Sequence, residues 1–158
     1  MEIIHYNITQ PFPLTDPFVA CIGYFDGFHI GHMGLVDATL ANAQKKNVKS
    51  AVITFDPDPW VVLRKMANPK HLTTMQDRMI IAQEKGIDYW IAITFDEYLA
   101  HQPHEAFTKI LSEMPLRTLI SGFDFTYGDK GKGTVATLKS EAAGRFDVIE
   151  ILPITDEG

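Results

Sequence analysis

Apolar residues along the chain fall into short unbroken runs separated by stretches with helical spacing. Phe18-Val19-Ala20-Cys21-Ile22 is such a run, closed by Gly23, and it reads as a buried strand. From Gly31 to Lys46 the spacing changes: Val36, Leu40 and Ala43 share one helical face, and Lys45-Lys46 suit the negative C-terminal end of a helix. Val48 to Phe55 is β-rich again and stops at Pro57 and Pro59. Thr73-Thr74 ahead of Gln76 and Asp77 resembles a capping box, and Gly86 supplies the stop for the helix it opens. A strand at Tyr89–Ile93 follows. Pro103 then opens a helix that carries Phe107, Ile110, Leu111 and Met114 inward until Pro115 ends it. A strand at Leu116–Ile120, a helix from about Thr134 to Ala143 and a strand at Phe146–Leu152 complete the series.

Strands and helices therefore alternate, and the strands are continuously apolar. A parallel sheet covered by helices on both faces needs such strands, because neither face meets water. The fold class predicted is α/β, a Rossmann-like doubly wound parallel sheet with right-handed crossovers. A ligand belongs outside the carboxyl ends of its strands.

At 158 residues the chain reads as one domain, large enough to hold a core without disulfides or metal. Its single cysteine, Cys21, has no partner within the chain and fits a reducing compartment. The 46% hydrophobic content excludes disordered and collagen-like classes. No apolar run reaches the roughly 18 residues of a membrane helix, and Met1-Glu2-Ile3-Ile4-His5 lacks a basic signal-peptide head. A net charge of −6 disfavours broad nucleic-acid binding. The expectation is a soluble cytoplasmic domain with no membrane or nucleic-acid partner.

Chemistry concentrates where the first of these strands hands over to its helix, at Gly23-Tyr24-Phe25-Asp26-Gly27-Phe28-His29-Ile30-Gly31-His32. The glycines permit a tight turn and close approach of backbone to a ligand. A helix start offers unpaired N–H groups and a positive dipole end, which favour phosphate. His29 and His32 would add imidazole donors against charge on a transferring phosphate. Two other readings stand beside this one. The histidines with Asp26 would make three zinc ligands, although no further Cys/His cluster follows; or they are ordinary residues at a helix start.

This decapeptide closely resembles the G-x-F-D-G-h-H-x-G-H signature (h apolar) of the adenylyltransferase domain of bacterial FAD synthetases, within the nucleotidyltransferase superfamily that carries the HIGH sequence. Thr54-Phe55-Asp56-Pro57-Asp58-Pro59 resembles that family's T-F-x-P-H-P. Leu72-Thr73 with Asp77-Arg78, and Gly86-Ile87-Asp88 after them, resemble its acidic-basic helix and the following strand. Phe95, Pro103 and Phe107 keep the family's spacing, and Gly122-Phe123-Asp124-Phe125-Thr126-Tyr127-Gly128 with Gly133 is similar to its G-x-D-F-x-F-G…G loop. The segments occur in the family's order along almost the whole chain.

The resemblance implies a fold of the nucleotidyltransferase type, residues 1–158 as an FMN adenylyltransferase domain, and the reaction of ATP with FMN to give FAD and pyrophosphate with Mg²⁺. It implies catalytic roles for His29, His32 and Asp124, with Asp124 also the candidate Mg²⁺ ligand. Gly23, Tyr24, Phe25, Asp26, His29, Gly31 and His32 would line the ATP side, and Pro57, Asp58, Pro59, Phe125 and Tyr127 the flavin side. Three departures stand out. Asp58 replaces the histidine of P-H-P. Gly131 stands where the loop's arginine would align, leaving Lys130 or Lys132 as substitutes. The family's S-S-T-x-I-R segment does not appear before Gly158, and neither does its riboflavin kinase domain, so the chain reads as a fragment of a bifunctional enzyme or as a protein lacking part of its phosphate clamp. The alternatives carried forward are a non-catalytic ATP- or flavin-binding regulatory module, and a nucleotidyltransferase for another phosphorylated small molecule.

Overall fold

A computed structural model of the chain describes residues 1–24, 30–57 and 75–152, with the side chains of 30–33 and 75–76 excepted. Six parallel strands form one sheet: β1 (Glu2–Tyr6), β2 (Phe18–Ile22), β3 (Lys49–Asp56), β4 (Tyr89–Thr94), β5 (Leu116–Gly122) and β6 (Asp147–Ile151). Their order is β1-β4-β3-β2-β5-β6, every neighbouring pair parallel. The helices are α1 (Ile30–Lys46), α2 (Met75–Lys85), α3 (Glu97–Ala100), α4 (His104–Ser112) and α5 (Val135–Ala142).

The doubly wound parallel sheet expected from the apolar runs is present. All five residues of β2 and the middle six of β3 are buried, because helices cover both faces of the sheet centre. One core forms under α1 and α2, where Leu35, Val36, Ala43 and Ala82 meet Val19, Cys21, Val52 and Trp90. The other forms under α3, α4 and α5, where Leu99, Phe107, Leu111 and Leu138 meet Ile22, Ile53, Ile91 and Leu119. Each valine, leucine, isoleucine or phenylalanine among them contributes about 1.5–3 kcal/mol on burial. Of the expected inward positions on α4, Phe107 and Leu111 are buried and Ile110 is half-buried against the same core.

Two elements add to the expected series. In β1 only Ile4 and Tyr6 are buried while Ile3 is exposed, so this edge strand is half-covered and alternates instead of forming an apolar run. Helix α3 is a single turn, too short for a periodic signal, and is started by the Asp96 carboxylate accepting the Leu99 N–H at 2.9 Å. At α5 the sequence start is reproduced: Thr134 caps the helix, and its hydroxyl and that of Thr137 each accept the other's backbone N–H. The cap read at Thr73-Thr74 lies outside the described residues.

Candidate active site at the carboxyl ends of the strands

The strand order reverses at β2. From β2 the chain enters α1 on one face of the sheet and reaches β3; from β5, on β2's other side, it enters α5 on the opposite face. Connections leaving in opposite directions open a crevice between the carboxyl ends of β2 and β5, where open α/β sheets bind ligands. Ile22 pairs with Ser121, so Gly23-Tyr24 and Gly122-Phe123-Asp124 leave the sheet side by side. The two loops are joined directly: the Tyr24 hydroxyl donates to the Thr126 carbonyl at 2.7 Å. Burial pushes that phenol up to about 12, so it is a donor throughout the physiological range.

Aromatic rings floor one side of the crevice. Tyr24 lies 5.1 Å from Phe55 and 5.7 Å from Phe125, and Phe125 stacks on Tyr127 at 5.9 Å with an interplanar angle of 16°. Phe55 also meets Phe95 edge-on at 6.0 Å and Phe107 at 6.1 Å. Ring pairs at these separations contribute about 0.5–1.5 kcal/mol each beyond burial, and together they tie β2, β3 and the β5–α5 loop to α4. A cavity of about 40 Å³ lies among Tyr24, Phe55, Phe95, Phe107, Tyr127 and Gly128.

The loop after β5 is shaped by its backbone. Tyr127 and Gly133 exchange N–H···O bonds of 3.1 and 2.8 Å, and a β-carbon at Gly133 would lie 2.6 Å from the Tyr127 ring. Gly131 has φ +64. A β-carbon opposes that conformation, so the arginine of the resembling pattern would be strained on this loop.

Polar groups surround this floor. Arg78, 1% exposed, reaches from α2 to donate to the Tyr24 carbonyl at 3.2 Å. It thereby ties α2 to the chain just past the end of β2. The buried Thr54 hydroxyl has no hydrogen-bond partner among the described residues, and alternation with Ile53 and Phe55 places it on the α1 side of the sheet. Asp124 is exposed, and its Oδ1 lies 3.2 Å from where a β-carbon on Gly122 would stand, so the carboxylate folds back over the end of β5.

A family model described as FAD synthetase matches residues 13–158. The chain belongs to the FAD synthetase family. It is 33% identical over 147 residues to a bifunctional riboflavin kinase/FMN adenylyltransferase of Listeria monocytogenes, covering 92% of this chain and 47% of that protein. It is 31% identical over 163 residues to the protein of the same description from Bacillus subtilis, covering 99% of this chain and 51% of that one. The chain thus spans about half the length of the curated relatives it matches. Among solved structures, one described as a macrolide-efflux protein from Streptococcus pneumoniae superposes with a TM-score of 0.83 at 25% identity, over 99% of this chain and 53% of that one. A pantothenate synthetase from Thermus thermophilus superposes at 0.56 and 13% identity over 99% of this chain and 63% of that one, a likeness of fold alone.

Within this FAD synthetase family chain, Gly23 and Tyr24 stand at the crevice, with the Gly23 N–H donating to the Ile53 carbonyl at 3.2 Å. Gly31 and His32 fall in the first turn of α1 by backbone; Phe25, Asp26, His29, Asp58 and Pro59 lie outside the described residues. Pro57 is exposed just past β3. Phe125 and Tyr127 are brought together with Tyr24, both buried: Tyr127 lines the cavity and Phe125 backs it. Lys130 and Lys132 are exposed. Sequence reading attached no role to Arg78, Thr54, His104, Thr108 or Glu141. Only Arg78 carried a signal, its place in the acidic-basic pair; the others become neighbours solely through the fold.

Proposed function

We propose that this chain transfers the adenylyl group of ATP to the phosphate of FMN, releasing pyrophosphate and forming FAD. The observation that supports it is the junction of two loops at the strand-order reversal: the one leading into the HIGH-like segment and the one carrying Asp124, Phe125 and Tyr127, joined by the Tyr24–Thr126 hydrogen bond. An FMN phosphate oxygen attacks the α-phosphorus of ATP, and the bond from that phosphorus to the oxygen bridging to the β-phosphorus breaks. A phosphomonoester is largely dianionic at neutral pH, its second pKa being about 6, so no residue need remove a proton from the nucleophile. The protein must instead align the two phosphates and offset charge on the departing pyrophosphate.

The N-terminus of the 17-residue helix α1 would present the positive end of its dipole to phosphate. His29 and His32 would add donors to the polyphosphate, and Gly31 would let backbone approach it. On the other loop, Asp124 is an exposed, oxygen-only ligand, which fits a hard cation that keeps several waters. Mg²⁺ held there would supply positive charge to the phosphates. The aromatic side, with Tyr127 on the β5–α5 loop and Pro57, Asp58 and Pro59 next along the chain after β3, would take the isoalloxazine ring.

The curated relatives are named as bifunctional, and this chain spans about half their length. A covalently linked riboflavin kinase domain, supplying FMN, is therefore part of the proposal. The cytoplasm is the compartment proposed: Cys21 is a free, buried thiol, and no helix among the described residues is long and apolar enough to cross a membrane. The test is FAD formation from ATP, FMN and Mg²⁺, followed chromatographically. His32→Ala is expected to lower the rate at least about 100-fold at unchanged melting temperature. Turnover retained in that variant overturns the mechanism. A second reading, a flavin-binding module without turnover, is favoured by Gly131 standing in place of the loop arginine; FMN binding with no FAD formed would select it.

A further inference from the structure

Tyr127 differs from the phenylalanine of the pattern its loop resembles, and its additional hydroxyl enters a half-buried polar node. It donates to Glu141 Oε1 at 3.0 Å and lies 3.3 Å from the Thr108 and 3.0 Å from the Thr137 hydroxyl. Thr108 donates to the same Glu141 oxygen at 2.7 Å. The other oxygen, Oε2, is 2.5 Å from His104 Nδ1, while His104 Nε2 is 2.6 Å from Glu105 Oε1. Burial opposes ionisation of Glu141, but hydrogen bonds from Thr108, Tyr127 and His104, with the charge of His104, outweigh it and hold the carboxyl below its usual value.

An ionised carboxylate only accepts, so His104 Nδ1 is the donor of its bond to Glu141 Oε2. His104, Glu105 and Glu141 also bring candidate metal-ligand atoms within 4.8 Å of one another, but an ion would need a nitrogen that a carboxylate already holds. The groups facing the imidazole are Glu105 from α4, Glu141 from α5 and Tyr127, whose ring meets it edge-on at 6.4 Å. Gly128 packs directly on it, since a β-carbon there would lie 2.8 Å from His104 Cα. Removing the imidazole leaves Glu141 Oε2 without this donor, and the hold on the Tyr127 hydroxyl slackens.

We propose that Glu141, held in place by His104, clasps the Tyr127 hydroxyl and positions the ring that forms the flavin side of the crevice, so that FMN affinity depends on both residues. Both are positioning residues, acting on substrate through Tyr127. The proposal rests on the flavin reading of the aromatic side.

The test measures KM for FMN and for ATP at one pH in the full-length wild type, His104→Asn and Glu141→Gln. The ratio of each variant's FMN KM to that of wild type is expected to be roughly three- to tenfold, the effect of one net hydrogen bond, while the ATP KM stays unchanged. Tyr127→Phe raises the FMN KM by itself, and adding His104→Asn to it raises it no further. An FMN KM unchanged in His104→Asn, an ATP KM that rises with it, or a full His104→Asn effect in the Tyr127→Phe background overturns the proposal. Nitrogen-15 spectra give a readout apart from turnover: Nδ1 of His104 is expected to carry a proton and to shift in Glu141→Gln. An Nδ1 without a proton overturns it, as does zinc bound by wild type and not by Glu141→Gln. If wild type binds FMN but forms no FAD, adenylyl transfer falls by itself, and the same ratio read from quenching of FMN fluorescence still decides the clasp. Absence of FMN binding overturns both.

Discussion

Gly128 joins the β5–α5 loop to the start of α4, and Gly128→Ala separates two reasons for a glycine there. Its backbone lies at φ 79 and ψ 177, a region open essentially to glycine alone, and an alanine there is strained by about 1–3 kcal/mol. The added β-carbon also meets His104 backbone: Cα at 2.8 Å and N at 2.9 Å. Neither atom can swing aside as a side chain would, and forcing a methyl group into such a contact costs about 1–3 kcal/mol more. The sum centres on about 4 kcal/mol, which for a domain of this size lowers the melting temperature by roughly 8–16 °C. Gly86→Ala is the control. Gly86 has φ +98 but nothing within 4 Å of the added carbon, so conformational strain alone, about 1–2 kcal/mol, lowers its melting temperature by roughly 2–8 °C. Both variants are compared with wild type by thermal melting at one pH. Gly128→Ala falling no further than Gly86→Ala would show that the contact with His104 carries no weight.

Arg78→Leu removes the donor to the Tyr24 carbonyl; the unpaired acceptor costs about 1–3 kcal/mol, read as a lowered urea midpoint. The thiol of fully buried Cys21 is pushed up to about 12 by burial, against hydrogen bonding that favours the thiolate. It therefore ionises above roughly pH 8.5 in the unfolded chain only, and stability falls by about 1.4 kcal/mol per pH unit from there. Urea titrations at successive alkaline pH values should show this slope in wild type and lose it in Cys21→Ala. Asp58→His restores the imidazole of the P-H-P pattern and should tighten FMN binding roughly threefold by titration calorimetry; an unchanged dissociation constant counts against a phosphate role at that position.

Much of the architecture is a local property of the chain. Continuous apolar runs such as Phe18–Ile22 and Tyr89–Ile93 demand burial on both faces, and helical spacing between them leaves a covered parallel sheet as the way to provide it. The edge strand β1 and the single turn α3 escaped that reading because neither has a full period of burial to display. The glycine-rich loop after β2 and the Asp124-Phe125-Tyr127 segment could be matched to a family because their residues are adjacent in sequence. That β2 and β5 are neighbours, and that Tyr24 bonds to Thr126 across 102 residues, follows from strand order, which no local pattern encodes. The same holds for the clasp. His104 is a residue in a helix's first turn and Glu141 one near the end of another, each an ordinary exposed-face choice in its own segment. Only the packing of α4 against α5 beneath the Tyr127 loop brings imidazole, carboxylate and phenol within hydrogen-bond reach, since side chains 37 residues apart are set face to face by tertiary geometry and by nothing in their neighbourhoods along the chain.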